Sequence, residues 1–287
     1  MRLVTYRHNS KITTGAVVGD RVIDLPWLCA APPDMAALLG TPGVLEAARL
    51  ALHSLPRIEP EVFPPLKDVT LLPPVTRPGK IIGVAMNYPA PGQDRRSACP
   101  PFPVLFERNA GSLIGTGEAI RLPRSAREVV IECELALVVG HGGKRIPESR
   151  ALATLAGYTI ANDVTARDLE RRSSQWTSGK LADAFLPLGP VLMTADELHD
   201  PGMLRIQAWI NGQAVQDGST AEMYYTPAEL VVYISSLITL QPGDLILTGS
   251  PKSLRNLPAR EVFLQPGDRV KMEIEGLGIL ENLVEED

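Results

Sequence analysis

Apolar and polar positions alternate in short runs over most of this chain, and few runs have helical spacing. The alternation predicts strands at RLVTYR and AVVGDRVIDL. Beyond Lys80 it predicts them at KIIGVAMNY, PVLFER, AIRLP, VVIECELALVVG, GYTIAND, PVLMT, LRIQAWING, QAVQDG, LILTGSP and RVKMEIEG. Helical spacing predicts short helices at MAALLG and VLEAARLALHSL, at PESRALATLA, within TARDLERRSS and over PAELVVYISSLITL. In the last, Leu230, Tyr233, Ile234 and Leu237 share a face, and Thr226-Pro227 supplies a cap and first turn. The stretch IEPEVFPPLKDVTLLPPVTRPGK is proline-rich and aperiodic, which reads as a linker. The organisation predicted is a small N-terminal α+β domain over residues 1–72 and a main domain over 73–287. Many strands with few crossover helices argue against a doubly wound sheet. They predict a β-rich α+β main domain that rolls or closes on itself.

The run IECELALVVG, residues 131–140, departs from the ordinary pattern. Successive strand side chains face opposite ways, so Glu132 and Glu134 share a face, with Cα atoms about 6.5 Å apart. RVKMEIEG provides a control: Glu273 and Glu275 have the same spacing, but Lys271 continues their face, as in a polar-out strand. At 131–140 the carboxylate face continues instead with Val130, Ala136 and Val138, so both faces look covered. Two buried carboxylates without a partner are costly, and one would tend to stay protonated. The pattern leaves two readings: a solvated edge face, or a pair held by a divalent cation with oxygen ligands such as Mg²⁺, Mn²⁺ or Ca²⁺. Asp163, at the end of GYTIAND, is a possible third ligand and equally a helix starter or turn cap. Thr165 and Asp168 have the spacing of a capping box. Lys180 follows Gly179 in a predicted loop, where a lysine is usually solvated.

The 287 residues are enough for one large domain with a smaller one, and 45% hydrophobic with 21% charged residues is ordinary for a globular protein. A formal charge of −5 gives no reason to expect nucleic acid or an anionic membrane as partner. Three scattered cysteines make no disulfide framework. No run approaches the ~20 apolar residues of a membrane span, and the first residues lack the apolar core of a signal peptide. A cytoplasmic location is the resulting expectation. The 26 prolines, about 9% against a usual ~5%, fit many short elements and rigid turns.

Several stretches, taken in order and spacing, resemble the fumarylacetoacetate hydrolase superfamily. They are IECELALVVG, GYTIANDVTARD, QWTSGKLADAFLPLGP, QPGDLILTGSP and LQPGDRVKMEIEGLGILENLV, preceded by KIIGVAMNY and PVLFERNAGSLIG. The resemblance covers residues 70 to 287, and the N-terminal unit also fits. It implies a mixed β-roll main domain, usually in a homodimer, and one Mg²⁺ or Mn²⁺ held by Glu132, Glu134 and Asp163. It implies a lysine beside metal and substrate at Lys180, and a glutamine of the same motif at Gln175. A loop closing over the substrate falls at Thr248 and Gly249. Asn87, Tyr88, Arg108 and Ser250 complete the expected pocket. Substrates of the family carry a 2-oxo-acid or 1,3-dicarbonyl unit. The reactions are carbon–carbon hydrolysis, decarboxylation or keto–enol isomerisation, which share a metal-stabilised enolate.

The chain also departs from the family. Relatives that hydrolyse carbon–carbon bonds commonly carry a histidine and a glutamate in a motif like NYxxHxxE, and these activate water. Here Pro91 stands for the histidine and Asp94 for the glutamate, and none of His8, His53, His141 and His199 lies in a matching motif. Arg108 replaces a common lysine and Ser178 a common arginine. KSLRN follows TGSP in place of a glycine-rich turn. Hydrolysis, with Asp94 or another residue of segment 89–103 as base, is the family default. Decarboxylation or tautomerisation gains credit, because neither needs an activated water. A different class of reading is a non-catalytic descendant that binds metal and a ligand or partner.

Overall fold

A computed structural model describes residues 1–54, 62–90, 93, 98–198, 200–254 and 262–287. The strand Cys133–Val139 is buried at every position. Its odd residues Cys133, Leu135, Leu137 and Val139 enter one core, and Ala136 and Val138 enter a second on the other face. A strand that is apolar on both sides must lie between two layers. Leu155–Asn162 and Leu245–Leu247 flank it, both antiparallel. The main path of this eleven-stranded sheet runs Arg21–Asp24, Lys11–Val18, Arg2–His8, Leu186–Thr194, Leu155–Asn162, Cys133–Val139, Leu245–Leu247, Ile81–Ala85, Val104–Glu107, with Thr70–Leu72 and Leu113–Ile114 paired off it. It is mixed, since Leu245–Leu247 pairs with Ile81–Ala85 in parallel.

A second sheet has the order Gln213–Ser219, Arg205–Ile210, Arg269–Ile274, Gly278–Glu286, Ile120–Leu122. Its inward residues, among them Ile206, Ala208, Val270, Met272 and Val284, pack on the odd face of the central strand. Leu25, Met35, Leu38 and Ala48, from the short helices Leu25–Cys29, Met35–Gly40 and Val44–His53, cover the even face. Each such fully buried Leu or Ile contributes roughly 1.5–3 kcal/mol. The N-terminal segment extends the main sheet: Arg2 and Leu3 pair with Met193 and Leu192, and Thr70–Leu72 pairs with Arg2–His8.

The control strand behaves as its pattern predicts. Arg269–Ile274 alternates inward and outward, and Glu273 makes a half-exposed ion pair with Lys271 at 3.0 Å. The helix Pro227–Leu237 begins where Thr226-Pro227 predicts. The Thr226 and Glu229 side chains each satisfy the other's backbone N–H in a capping box. Its buried face is Leu230, Val231 and Ile234, while Leu237 is exposed at the end. Thr226→Ala is expected to cost about 1 kcal/mol in denaturant unfolding, with the slope unchanged.

Three expectations are corrected. Gly278–Glu286 is a strand that the alternation search passed over, because Gly276 and Gly278 open it and Asn282 occupies an inward position. Asn282 is tolerated there because its amide donates to Gly115 O and Glu118 O, both at 2.8 Å. AVVGDRVIDL contains a turn and the start of the Leu25–Cys29 helix, capped by Asp24. Thr165 and Asp168 form no capping box: the helix Arg167–Glu170 has no side-chain cap, and Asp168 instead accepts from the backbone of Arg127 and Glu128.

Candidate metal centre and active-site cavity

Strand register brings the carboxylates together. Cys133 pairs with Asn162, so the residues just beyond, Glu132 and Asp163, meet across the ladder, and Asp163 N donates to Glu132 O at 2.9 Å. Glu134 lies two residues on, on the same side as Glu132. Glu132, Glu134 and Asp163 each offer an oxygen, and these oxygens lie within 4.8 Å of one another. Glu134 and Asp163 are buried, at 2% and 0% exposure.

Lys180 follows the short 3₁₀ turn Trp176–Gly179 and is itself 4% exposed. Its ammonium donates to Glu132 Oε2 at 3.1 Å, to Thr165 Oγ1 at 2.8 Å and to Asp163 Oδ2. It also lies 4.7 Å from the centre of the Phe106 ring. That ring occupies space which only Gly83 leaves open, since a Cβ there would stand 2.1 Å from it. Burial works against the charge on Lys180, but Asp163 and Glu132 outweigh it and raise its pKa above the ordinary lysine value.

The three carboxylates are not equally matched. Burial pushes Glu132 up, but Lys180 and Arg167 outweigh this and hold it at about 2, against an ordinary 4.5. This charge therefore stabilises the fold above about pH 4.5, and the contribution is lost as pH falls toward 2. Glu134 goes the other way: burial, then Asp163 and Glu132 beside it, push its carboxyl well above the usual range. Its one hydrogen bond among the described residues comes from Gly249 N at 2.8 Å, and it has no ion pair. Gly249 has φ +85°, and a Cβ would stand 2.9 Å from Val84 O, so only glycine places this donor without strain. Asp163 Oδ1 is buried without a hydrogen bond, although Arg108 Nη1 stands 2.9 Å away. An under-neutralised carboxylate beside an orphaned carboxylate oxygen fits a divalent cation with oxygen ligands.

These groups line a cavity of about 560 Å³, together with Tyr88, Arg167, Glu170, Trp176, Ser250 and Lys252 among others. Tyr88 is buried, and among the described residues its hydroxyl has no hydrogen-bond partner. Burial, with Glu134 the next contribution, keeps that phenol protonated well above its ordinary value. Other expected pocket residues stand behind the wall. Asn87 donates to Tyr225 O and Thr248 O and accepts from Tyr225 N, which fixes the turn that carries Gly249. Thr248 Oγ1 donates to Leu135 O at 2.8 Å. Arg108 is buried and bonds Val164 O and Phe185 O. Gln175 is exposed and outside the lining. Asp94 and Pro91 lie outside the described residues, and no histidine lines the cavity among the described ones. Sequence reasoning passed over Arg167 and Trp176, although both belong to the quoted motifs, and it took Lys252 only as a departure.

With this geometry in view, comparison with known proteins gives a consistent result. The family model described as fumarylacetoacetate (FAA) hydrolase, C-terminal, matches residues 80–285. Oxaloacetate tautomerase Fahd2a, mitochondrial, of Rattus norvegicus is 39% identical over 271 residues, covering 93% of this chain and 85% of that one. The structure of 5-carboxymethyl-2-hydroxymuconate delta-isomerase from Mycobacterium smegmatis has a TM-score of 0.79 and 32% identity over 100% of both chains. Maleylpyruvate hydrolase from Sphingobium sp. SYK-6, in complex with manganese(II) and pyruvate, has a TM-score of 0.82 and 27% identity, covering 100% of this chain and 99% of that one.

The chain belongs to the fumarylacetoacetate hydrolase family. It is an enzyme of that family, with the β-rich mixed-sheet fold of its solved relatives.

Proposed function

We propose that the protein is a divalent-metal-dependent tautomerase of a 2-oxo acid of the oxaloacetate type. One observation carries the reading: a protonated, buried lysine stands among three converging carboxylates, one of which lacks a cation. Glu132, Glu134 and Asp163 would hold Mg²⁺ or Mn²⁺, and such an ion supplies Lewis-acid polarisation of the substrate's oxo group. Lys180 places a fixed positive charge and an N–H donor where the 2-oxygen gains negative charge on enolisation. Tyr88 adds a second protonated donor in the cavity wall. Interconverting keto and enol forms moves one proton between carbon and oxygen and requires no attack by water. That suits a cavity without a lining histidine among the described residues. The names of the rat tautomerase and the mycobacterial isomerase support the reaction class.

The test follows enol absorbance of oxaloacetate with added Mg²⁺ or Mn²⁺, then with chelator. Acceleration that chelator abolishes is expected. Release of pyruvate, with no acceleration of keto–enol exchange, would replace tautomerisation by decarboxylation. Because Glu134 lies above the ordinary carboxylate range, it must lose a proton before all three carboxylates can ligate. Affinity for Mn²⁺ is therefore expected to fall about tenfold per pH unit once Glu134 is protonated, as read by calorimetry at stepped pH.

A further inference from the structure

Of the four cations that line the cavity, three are committed. Arg167 pairs with Glu132 and Glu170, Arg171 with Glu128, and Lys180 with Glu132 and Asp163. Lys252 lines the same cavity; its charge is felt by Glu132, but among the described residues it has neither an ion pair nor a hydrogen bond. It is exposed, whereas the carboxylates and Lys180 are at the buried end, so it stands toward the opening. Its backbone is held in place. Gly249 N bonds Glu134, Gln216 Nε2 donates to Pro251 O at 2.6 Å, and Leu254 N donates to Val215 O at 2.9 Å. Both sides of Lys252 are thus tied to ordered strands or to the carboxylate cluster itself. Lys252 also belongs to the KSLRN stretch that departs from the family's glycine-rich turn, so this chain supplies a side chain there.

The charges of the cavity indicate what such a lysine would meet. Four carboxylates and four cations line it, and a divalent cation would leave it with a net charge of about +2. A 2-oxo acid anchored by its oxo-acid end at the buried carboxylates extends toward the opening. A second carboxylate on that molecule would balance the excess charge, and Lys252 is the cation free to receive it.

We infer that Lys252 is a specificity residue that selects 2-oxo acids carrying a second, distal carboxylate. The inference rests on the proposed 2-oxo-acid site but does not require turnover. It is tested by calorimetric titration of the full chain, with and without Mn²⁺. The ligands are two dicarboxylates, oxaloacetate and 2-oxoglutarate, and their singly charged counterparts, pyruvate and 2-oxobutyrate. The parent is expected to prefer at least one dicarboxylate by roughly ten- to a hundredfold, the range of a hydrogen bond between charged groups. Lys252→Gln should reduce that preference to about twofold, and Lys252→Arg should keep most of it. Mn²⁺ affinity, measured in parallel, reports that the Gln variant retains an intact carboxylate cluster. A preference that survives in Lys252→Gln, or a parent that shows none, overturns the inference. A preference that depends on Lys252 in a protein without tautomerase activity would overturn the proposed reaction and leave the specificity residue standing.

Discussion

Asp163→Ala is expected to lose both metal binding and about 3–5 kcal/mol of stability, a large part of the ~5–15 kcal/mol that holds a typical domain folded. The substitution removes more than one ligand. It strips the counter-ion from Arg108, whose side chain has no exposure, and one of two from Lys180. Among the described residues, the buried guanidinium would be left with only backbone carbonyls and Ser112 as partners. Asp163→Asn separates the two effects: it keeps the volume and one acceptor oxygen, so it should lose metal binding with a smaller loss of stability. Denaturant unfolding and Mn²⁺ calorimetry on both variants check this. In a double-mutant cycle, Arg108→Met combined with Asp163→Ala should cost less than the sum of the single changes. An Asp163→Ala protein within about 1 kcal/mol of its parent would show that the ion pair carries little of the fold.

Lys180→Met should slow turnover by about 10²–10³, the usual cost of removing one donor to a developing oxyanion. The same change should tighten metal binding. The Lys180 ammonium bonds one oxygen of Glu132 and one of Asp163, two of the three carboxylates that would hold the cation. Without the ammonium, the carboxylates repel one another more strongly, and a divalent cation relieves more of that repulsion. Thermal unfolding should accordingly show a less stable apoprotein with a larger stabilisation on adding Mn²⁺. Methionine keeps most of the unbranched side chain and removes the ammonium that lies over the Phe106 ring. Slower turnover together with weaker metal binding would place Lys180 among the structural supports of the cluster rather than at the reacting oxygen.

The fold was legible where a period could be read. Apart from Glu134, Cys133–Val139 is apolar at both parities; its sequence suggested that both faces were covered and left a solvated edge as the alternative. Gly278–Glu286 was harder, because Asn282 faces inward and is satisfied only by carbonyls more than 160 residues away in sequence. The site divides in the same way. The E-x-E pair declared itself through the apolar continuation of its face, in contrast to Glu273 and Glu275. Asp163 was open to a capping role by local pattern and was named a ligand by the family resemblance; the register with Asn162, which no local pattern contains, is what brings it against Glu132. Arg108, Asn87 and Thr248 lie close in sequence to lining residues, so motif position suggested contact with substrate. Their side chains bond backbone carbonyls, and Arg108 also pairs with Asp163 from behind the cavity wall, an arrangement set by tertiary packing. Lys252 is informative only once its neighbours are seen to be paired.

The carboxylate cluster and the cavity opening rest on different kinds of backbone. Glu132, Glu134 and Asp163 are fixed by the ends of two strands that are buried along their whole length. Ser173, Ser174, Trp176, Ser250 and Lys252 come from irregular connections between elements. A substitution in the connections changes what enters the cavity and leaves the sheet undisturbed, whereas one in the strand ends disturbs both. The architecture therefore sets the carboxylate cluster proposed to hold the metal on a different kind of backbone from the residues at the opening. A lineage built this way can acquire new substrates through changes that selection for stability barely registers.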